Sequence, residues 1–179
     1  MRCLFLVPLF IGAIAFAGPK APADPRIDFH DLPGTNGEWQ EGTAIIPAPQ
    51  EKVRYWLTDY VNWPRRFPDM KWTRVLPDDE RGHHVIMFYS HIAGRAFLIH
   101  ESVAPDLLVF YGSSGSSIHT QGRIYLIDIG GGRTRVHMQS TATVSGFLGL
   151  FATRAYRRKS AEQVTTAHLT ALLNLAAQH

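Results

Sequence analysis

The sequence predicts an α+β fold in which a curved antiparallel sheet of about six or seven strands wraps around a long C-terminal helix. Three observations carry this reading. A proline-opened helical segment, Pro49 to Tyr60, is closed by Pro64 and Pro68. Strand-like runs with turn residues at short intervals follow, and no helical pattern separates them. The chain then runs from Phe147 to Gln178 at helical period without proline, with Gly149 as its last glycine. A bent sheet against one rod leaves space that an apolar ligand would fill.

The N-terminal residues have the pattern of an export signal. Arg2 precedes an almost wholly apolar run, Cys3 to Ala17, and Ala15-Phe16-Ala17 is a small-x-small cleavage site. That run is shorter than the roughly 20 residues of a membrane span. Residues 1–17 are therefore expected to be a signal peptide, and the protein to be exported to the periplasm or outside the cell. Residues 18–37 hold Pro19, Pro22, Pro25 and Pro33. They are expected to be a proline-rich tether, with Ile27 and Phe29 docking on the surface. Residues 38–179 are expected to be one ligand-binding domain.

Within it, Trp39 to Ile46 is a first strand, ended by Pro47. Pro49 suits the first turn of a helix, where its missing N–H costs nothing. Val53, Trp56, Leu57 and Tyr60 recur at helical spacing. Trp63 precedes Pro64 and is expected outside helical geometry. Further strands are read at Lys71–Leu76, His83–Ser90, Arg95–Val103, Leu107–Gly112, Gln121–Ile129 and Arg133–Val144. Ile124 and Leu126 share a face opposite Arg123 and Tyr125, and Val136 and Met138 share one opposite His137 and Gln139. Val85 to Tyr89 is apolar on both sides and has no assignable inner face. Ser145 is a candidate N-cap for the last helix. About 28 helical residues would make it roughly 42 Å long.

Composition excludes several function classes. The formal charge is +3, of which the export segment carries one, too little to indicate nucleic-acid binding. Cys3 is the only cysteine, so cleavage would leave neither a disulfide nor a thiol nucleophile. The nine histidines are scattered or, like His83-His84, adjacent on a strand and directed to opposite faces. They form no metal-binding spacing, and no cofactor is expected. His168 reads as a half-buried helix histidine bonded to a neighbour.

Ile46-Pro47-Ala48-Pro49-Gln50-Glu51-Lys52-Val53, then Leu57-Thr58-Asp59-Tyr60, Trp63-Pro64 and Phe67-Pro68-Asp69, resembles the opening of the helix-grip, START-like superfamily (SRPBCC). Gly122 to Leu126 with Gly131 to Val136 resembles its penultimate hairpin, and the final helix matches too. The resemblance spans Thr43 to Ala177. It lies nearest the polyketide cyclase and coenzyme Q-binding branches, from which the export signal is a departure. It implies a cavity between sheet and last helix for a sterol, phospholipid, quinone or polyketide. It does not choose a function, because one scaffold hosts transport, cyclisation and hydrolysis.

The candidate lining residues are Met87, Tyr89, Phe97, Ile99, Val109, Tyr111, Ile124, Leu126, Val136, Met138, Phe147 and Phe151. The same set also reads as an ordinary filled core. Arg154, Arg157, Arg158 and Lys159 read as a solvated face that could meet lipid head groups in transient contact with a membrane surface. Trp63, Phe67 and Trp72 read as a rim or as packing under the first helix. The expected function is binding or transport of a small hydrophobic ligand. The alternative is a cyclase- or aromatase-like enzyme using Tyr89, His100 or Glu101.

Overall fold

The structure, a computed structural model, describes residues 25–80, 83–90, 94–114, 118–145 and 152–178. The elements run β1 (Ile27–Asp31), β2 (Gln40–Ile46), α1 (Gln50–Thr58), a 3-10 turn (Tyr60–Asn62), α2 (Trp63–Arg66), β3 (Met70–Val75), β4 (His84–Ser90), β5 (Gly94–Ala104), β6 (Leu107–Ser114), β7 (Ile118–Asp128), β8 (Thr134–Val144) and α3 (Arg154–Ala177). The strands form one eight-stranded antiparallel sheet in the order β1-β2-β8-β7-β6-β5-β4-β3. β3 to β8 is a meander, and β2 returns to pair with β8. This is the α+β architecture expected, with the helix lying on the sheet.

Three local expectations are corrected. The proline-rich stretch is not all tether, because Ile27–Asp31 pairs with β2 as an edge strand. Those five residues lie between Pro25 and Pro33 and contain no proline, so every ladder N–H is available. Trp63 is helical, at φ −52° and ψ −43°, and opens α2 with Pro64 just inside it. Burial of its indole, whose Nε1–H donates to Leu57 O at 3.2 Å, outweighs the pre-proline preference. The last helix starts at Arg154, after the non-helical Ala152 and Thr153, so it is about 36 Å long, and the expected start at Phe147 lies outside the described residues. Its N-cap is Thr153, whose hydroxyl accepts from Tyr156 N at 3.2 Å. Residues 1–24, including the signal-peptide reading, lie outside the described residues.

The helical face expected of α1 is present: Val53, Trp56, Leu57 and Tyr60 are all buried. Two polar clamps hold α1 across the sheet. Gln50 Nε2 donates to Leu126 O at 2.7 Å, and Arg54 donates to Ala104 O and Pro105 O at 2.7 and 2.8 Å. α3 packs on β1, β2 and β8 through a stripe of Thr165, Leu169, Leu172 and Leu173. Its first turns are tied to β1, where Arg158 and Arg154 meet Asp31 at 2.9 and 3.1 Å and Arg158 lies 5.3 Å from the Phe29 ring. Arg158, with Arg154, holds the Asp31 carboxyl below the usual aspartate range.

Helix and sheet approach closely at Gly42. A Cβ there would overlap Thr165 Cγ2 and lie 3.3 Å from Leu169 Cδ1. Gly42→Ala is therefore expected to destabilise the fold by about 1–3 kcal/mol. Thr165→Ser removes the obstructing methyl, so the double variant should lose less than the two single losses combined. Urea unfolding of the four proteins measures this; strict additivity would show that the contact does not govern the packing.

Candidate ligand cavity

Alternation along paired strands sends Ile86, Phe88, Ala96, Leu98, Leu108 and Phe110 inward, together with Ile124, Leu126, Val136 and Met138. One end of this inner face is filled. Ala44, Ile46, Leu126 and Val136 join Val53, Leu169 and Leu172 in one buried cluster. The other end is not filled, and a cavity of about 260 Å³ remains between α3 and the sheet.

Its floor is Phe88, Ala96, Leu98, Phe110, Ile124 and Met138. Phe110 lies against Gly122, where a Cβ would overlap the ring and the Gln139 carbonyl. Leu57, Trp63, Phe67, Asp69 and Met70 close one end. The roof is α3, from Tyr156 and Arg157 through Ser160 and Val164 to His168. Arg157 to His168 is eleven residues, about 16 Å along the helix axis. Thr120 and Ser140 add hydroxyls to a mostly apolar wall.

Two polar groups stand out at the closed end. His168 Nδ1 lies 2.8 Å from Val164 O. A carbonyl only accepts, so Nδ1 carries the proton and Nε2 of the neutral ring presents a lone pair. The imidazole sits 5.0 Å from the Phe67 ring. Asp69 Oδ1 is buried and has no hydrogen-bond partner among the described residues.

Of the residues expected to line a cavity, Ile124 and Met138 do so. Leu126 and Val136 share their face but belong to the filled end. Met87, Tyr89, Ile99, Val109 and Tyr111 are corrected: pairing such as Met87 with Phe97 and Ile99 with Tyr111 puts these positions on the outer face. Both faces of β4 to β6 are apolar, and a one-residue choice of face inverts the whole set. Phe147, Phe151 and the Phe97 side chain lie outside the described residues, as do those of His100 and Glu101. Trp63 and Phe67 line the cavity, whereas Trp72 pairs with Tyr89 and does not. Of the α3 cations, Arg154 and Arg158 are engaged with Asp31 and Arg157 reaches the cavity wall. Leu98, Phe110 and Asp69 went unrecognised in the sequence; the small Gly122 opposite Phe110 was the available signal.

A connected titratable cluster lies elsewhere, on the outer face of β1, β2 and β8. Glu41 accepts from Gln139 Nε2 at 2.7 Å and from His137 Nδ1 at 3.2 Å, and lies 3.7 Å from His30 Nε2. Burial pushes its carboxyl up, but the hydrogen bonds and the two imidazoles outweigh that and hold it below the ordinary glutamate range. No group of three or more His, Cys, Asp or Glu among the described residues is placed to hold a metal ion. Nor, among them, is any helix long and apolar enough to cross a membrane.

No protein-family model matches the chain, and no curated protein does. Solved structures do match. A START superfamily protein from Mycobacterium smegmatis superposes with a TM-score of 0.64 at 16% identity, covering 78% of this chain and 97% of its own. The Zhui aromatase/cyclase from Streptomyces sp. R1128 gives 0.62 at 17%, covering 85% and 94%. Ara h 8.0201 gives 0.59 at 10%, covering 86% and 99%. The fold is that of the START-like, helix-grip group.

The Glu41 cluster sets an expectation for acid. A depressed carboxyl contributes stability above its unfolded pKa and loses it as pH falls through the folded value. Glu41→Gln is expected to cost about 1–3 kcal/mol at neutral pH. That gap should narrow between about pH 5 and about pH 2, as the wild-type carboxylate takes up its proton. Denaturant unfolding across this range checks it; a constant gap would show that the charge of Glu41 is not what matters.

Proposed function

We propose that the protein binds and carries a small hydrophobic molecule in the cavity beneath α3. The observation that carries this reading is an apolar, partly enclosed space at one end of an otherwise filled core. Removing apolar surface from water there would supply roughly 25 cal/mol per Å². Its 260 Å³ sits just below the roughly 300–1,000 Å³ of common ligand sites. That favours a slender or bicyclic molecule, quinone- or polyketide-like or a single short lipid chain, over a two-chain phospholipid. A signal peptide at residues 1–17 would place this carrier in the periplasm or outside the cell. Transient docking on a membrane surface would then provide exchange.

The fold neighbours include proteins described as aromatase/cyclases. A cyclase reading of this chain loses Tyr89, which stands on the outer face away from the cavity. Carriage is the reading we adopt, on the mostly apolar wall of the cavity.

Ala161 faces the cavity from α3, so Ala161→Trp should fill it. Wild-type protein should bind an apolar fluorescent probe, and saturation at about a hundredfold Kd should raise stability by roughly 2.7 kcal/mol. Ala161→Trp should lose both effects while keeping its circular dichroism spectrum. Tyr111→Ala, on the outer face, should keep both. Probe binding that survives Ala161→Trp and fails in Tyr111→Ala would place the site elsewhere.

A further inference from the structure

Resting on the cavity reading above, we infer that the ligand carries an uncharged hydroxyl, which donates to His168 Nε2 at the closed end beside Phe67. Three observations converge on this end. Nδ1 of His168 is committed to Val164 O, which leaves Nε2 as an acceptor lining the cavity. Asp69, two residues after Phe67, lines the same cavity, and its Oδ1 is buried without a hydrogen-bond partner among the described residues. The surrounding Leu57, Trp63, Phe67 and Met70 offer apolar surface, and the one side-chain donor among these four, Trp63 Nε1, is spent on Leu57 O.

A buried acceptor left empty is costly, and an acceptor that faces an apolar cavity is matched by a donor on whatever enters it. A ketone, ether or carboxylate would set acceptor against acceptor. An ammonium would suit Asp69 but would surrender its hydration in an apolar space. A neutral O–H meets both requirements. The roof extends about 16 Å from His168 to Arg157, a length that takes the remainder of the ligand. His168 is thus a specificity-determining residue that orients the ligand polar end inward.

Three probes of matched shape test this: naphthalene, 2-naphthol and 2-methoxynaphthalene, titrated calorimetrically into the full chain. The naphthol should bind at least about tenfold tighter than the methyl ether, the ratio expected of one well-made hydrogen bond. His168→Phe keeps a ring against Phe67 and should abolish that preference while leaving naphthalene affinity within about twofold. His168→Gln, which retains an acceptor, should restore part of it. In the wild-type protein the ¹⁵N resonance of His168 Nε2 should shift with naphthol and stay in place with naphthalene, a readout that does not depend on any variant folding. Equal affinity for naphthol and ether, with the Nε2 signal unmoved, would overturn the hydroxyl assignment and leave the apolar cavity standing. Failure of all three probes to bind would overturn both.

Discussion

The missing side chain at position 42 sets how closely α3 can lie on the sheet. Thr165 and Leu169 occupy the space that a Cβ would need, so helix side chains rest directly on the β2 backbone. The helix is thereby fixed over β1, β2 and β8, at one side of an eight-stranded sheet. Its main sheet contacts are with β1, β2 and β8, which leaves the floor over β4, β5 and β6 less closely covered. The chain fills part of the difference with α1 and part with the Trp63–Phe67 turn, and the remainder is the cavity. Close contact at one edge and vacancy at the other are two results of one geometric constraint.

The polar groups divide along the same line. On the outer face, Glu41, His30, His137 and Gln139 satisfy one another, and Arg123 lies over Trp39. Beneath α3, the acceptors of His168 and Asp69 have no protein donor among the described residues. A satisfied network rigidifies a sheet, whereas unsatisfied groups in an apolar space specify what may enter it. Position in the fold, and not residue type, separates the structural histidines from the one that meets the cavity.

Much of this was legible in the sequence where period and punctuation agree. Pro49, Pro64 and Pro68 bracketed the first helices, and the turn residues between β3 and β8 located the meander. β7 and β8 gave their inner residues correctly because Arg123, His137 and Gln139 marked the wet side. β4, β5 and β6 carry apolar residues on both sides, so nothing local distinguished Phe88 from Met87 or Phe110 from Tyr111. Only cross-strand register, a long-range property, decides that. β1 was hidden because proline density was read over the whole stretch and not over the proline-free Ile27–Asp31. The start of α3 was misplaced because Gly149 and Phe151 fit a helical period that says nothing about where capping occurs. His168 was correctly read as bonded to its neighbour, but that bond is also what frees its other nitrogen, a consequence visible only once the space beside it is known.

Gly122 carries a consequence beyond packing. Phe110 rests its ring on the bare backbone there, and the ring is part of the floor of the vacancy. The depth of that vacancy is therefore set by a residue that touches no occupant. In a lineage of such chains, one small change in the strand behind the aromatic would resize the chamber without altering its walls. Ligand range could then drift through hidden positions while the visible lining stayed constant, so a comparison of lining residues alone would mistake differently sized chambers for the same one.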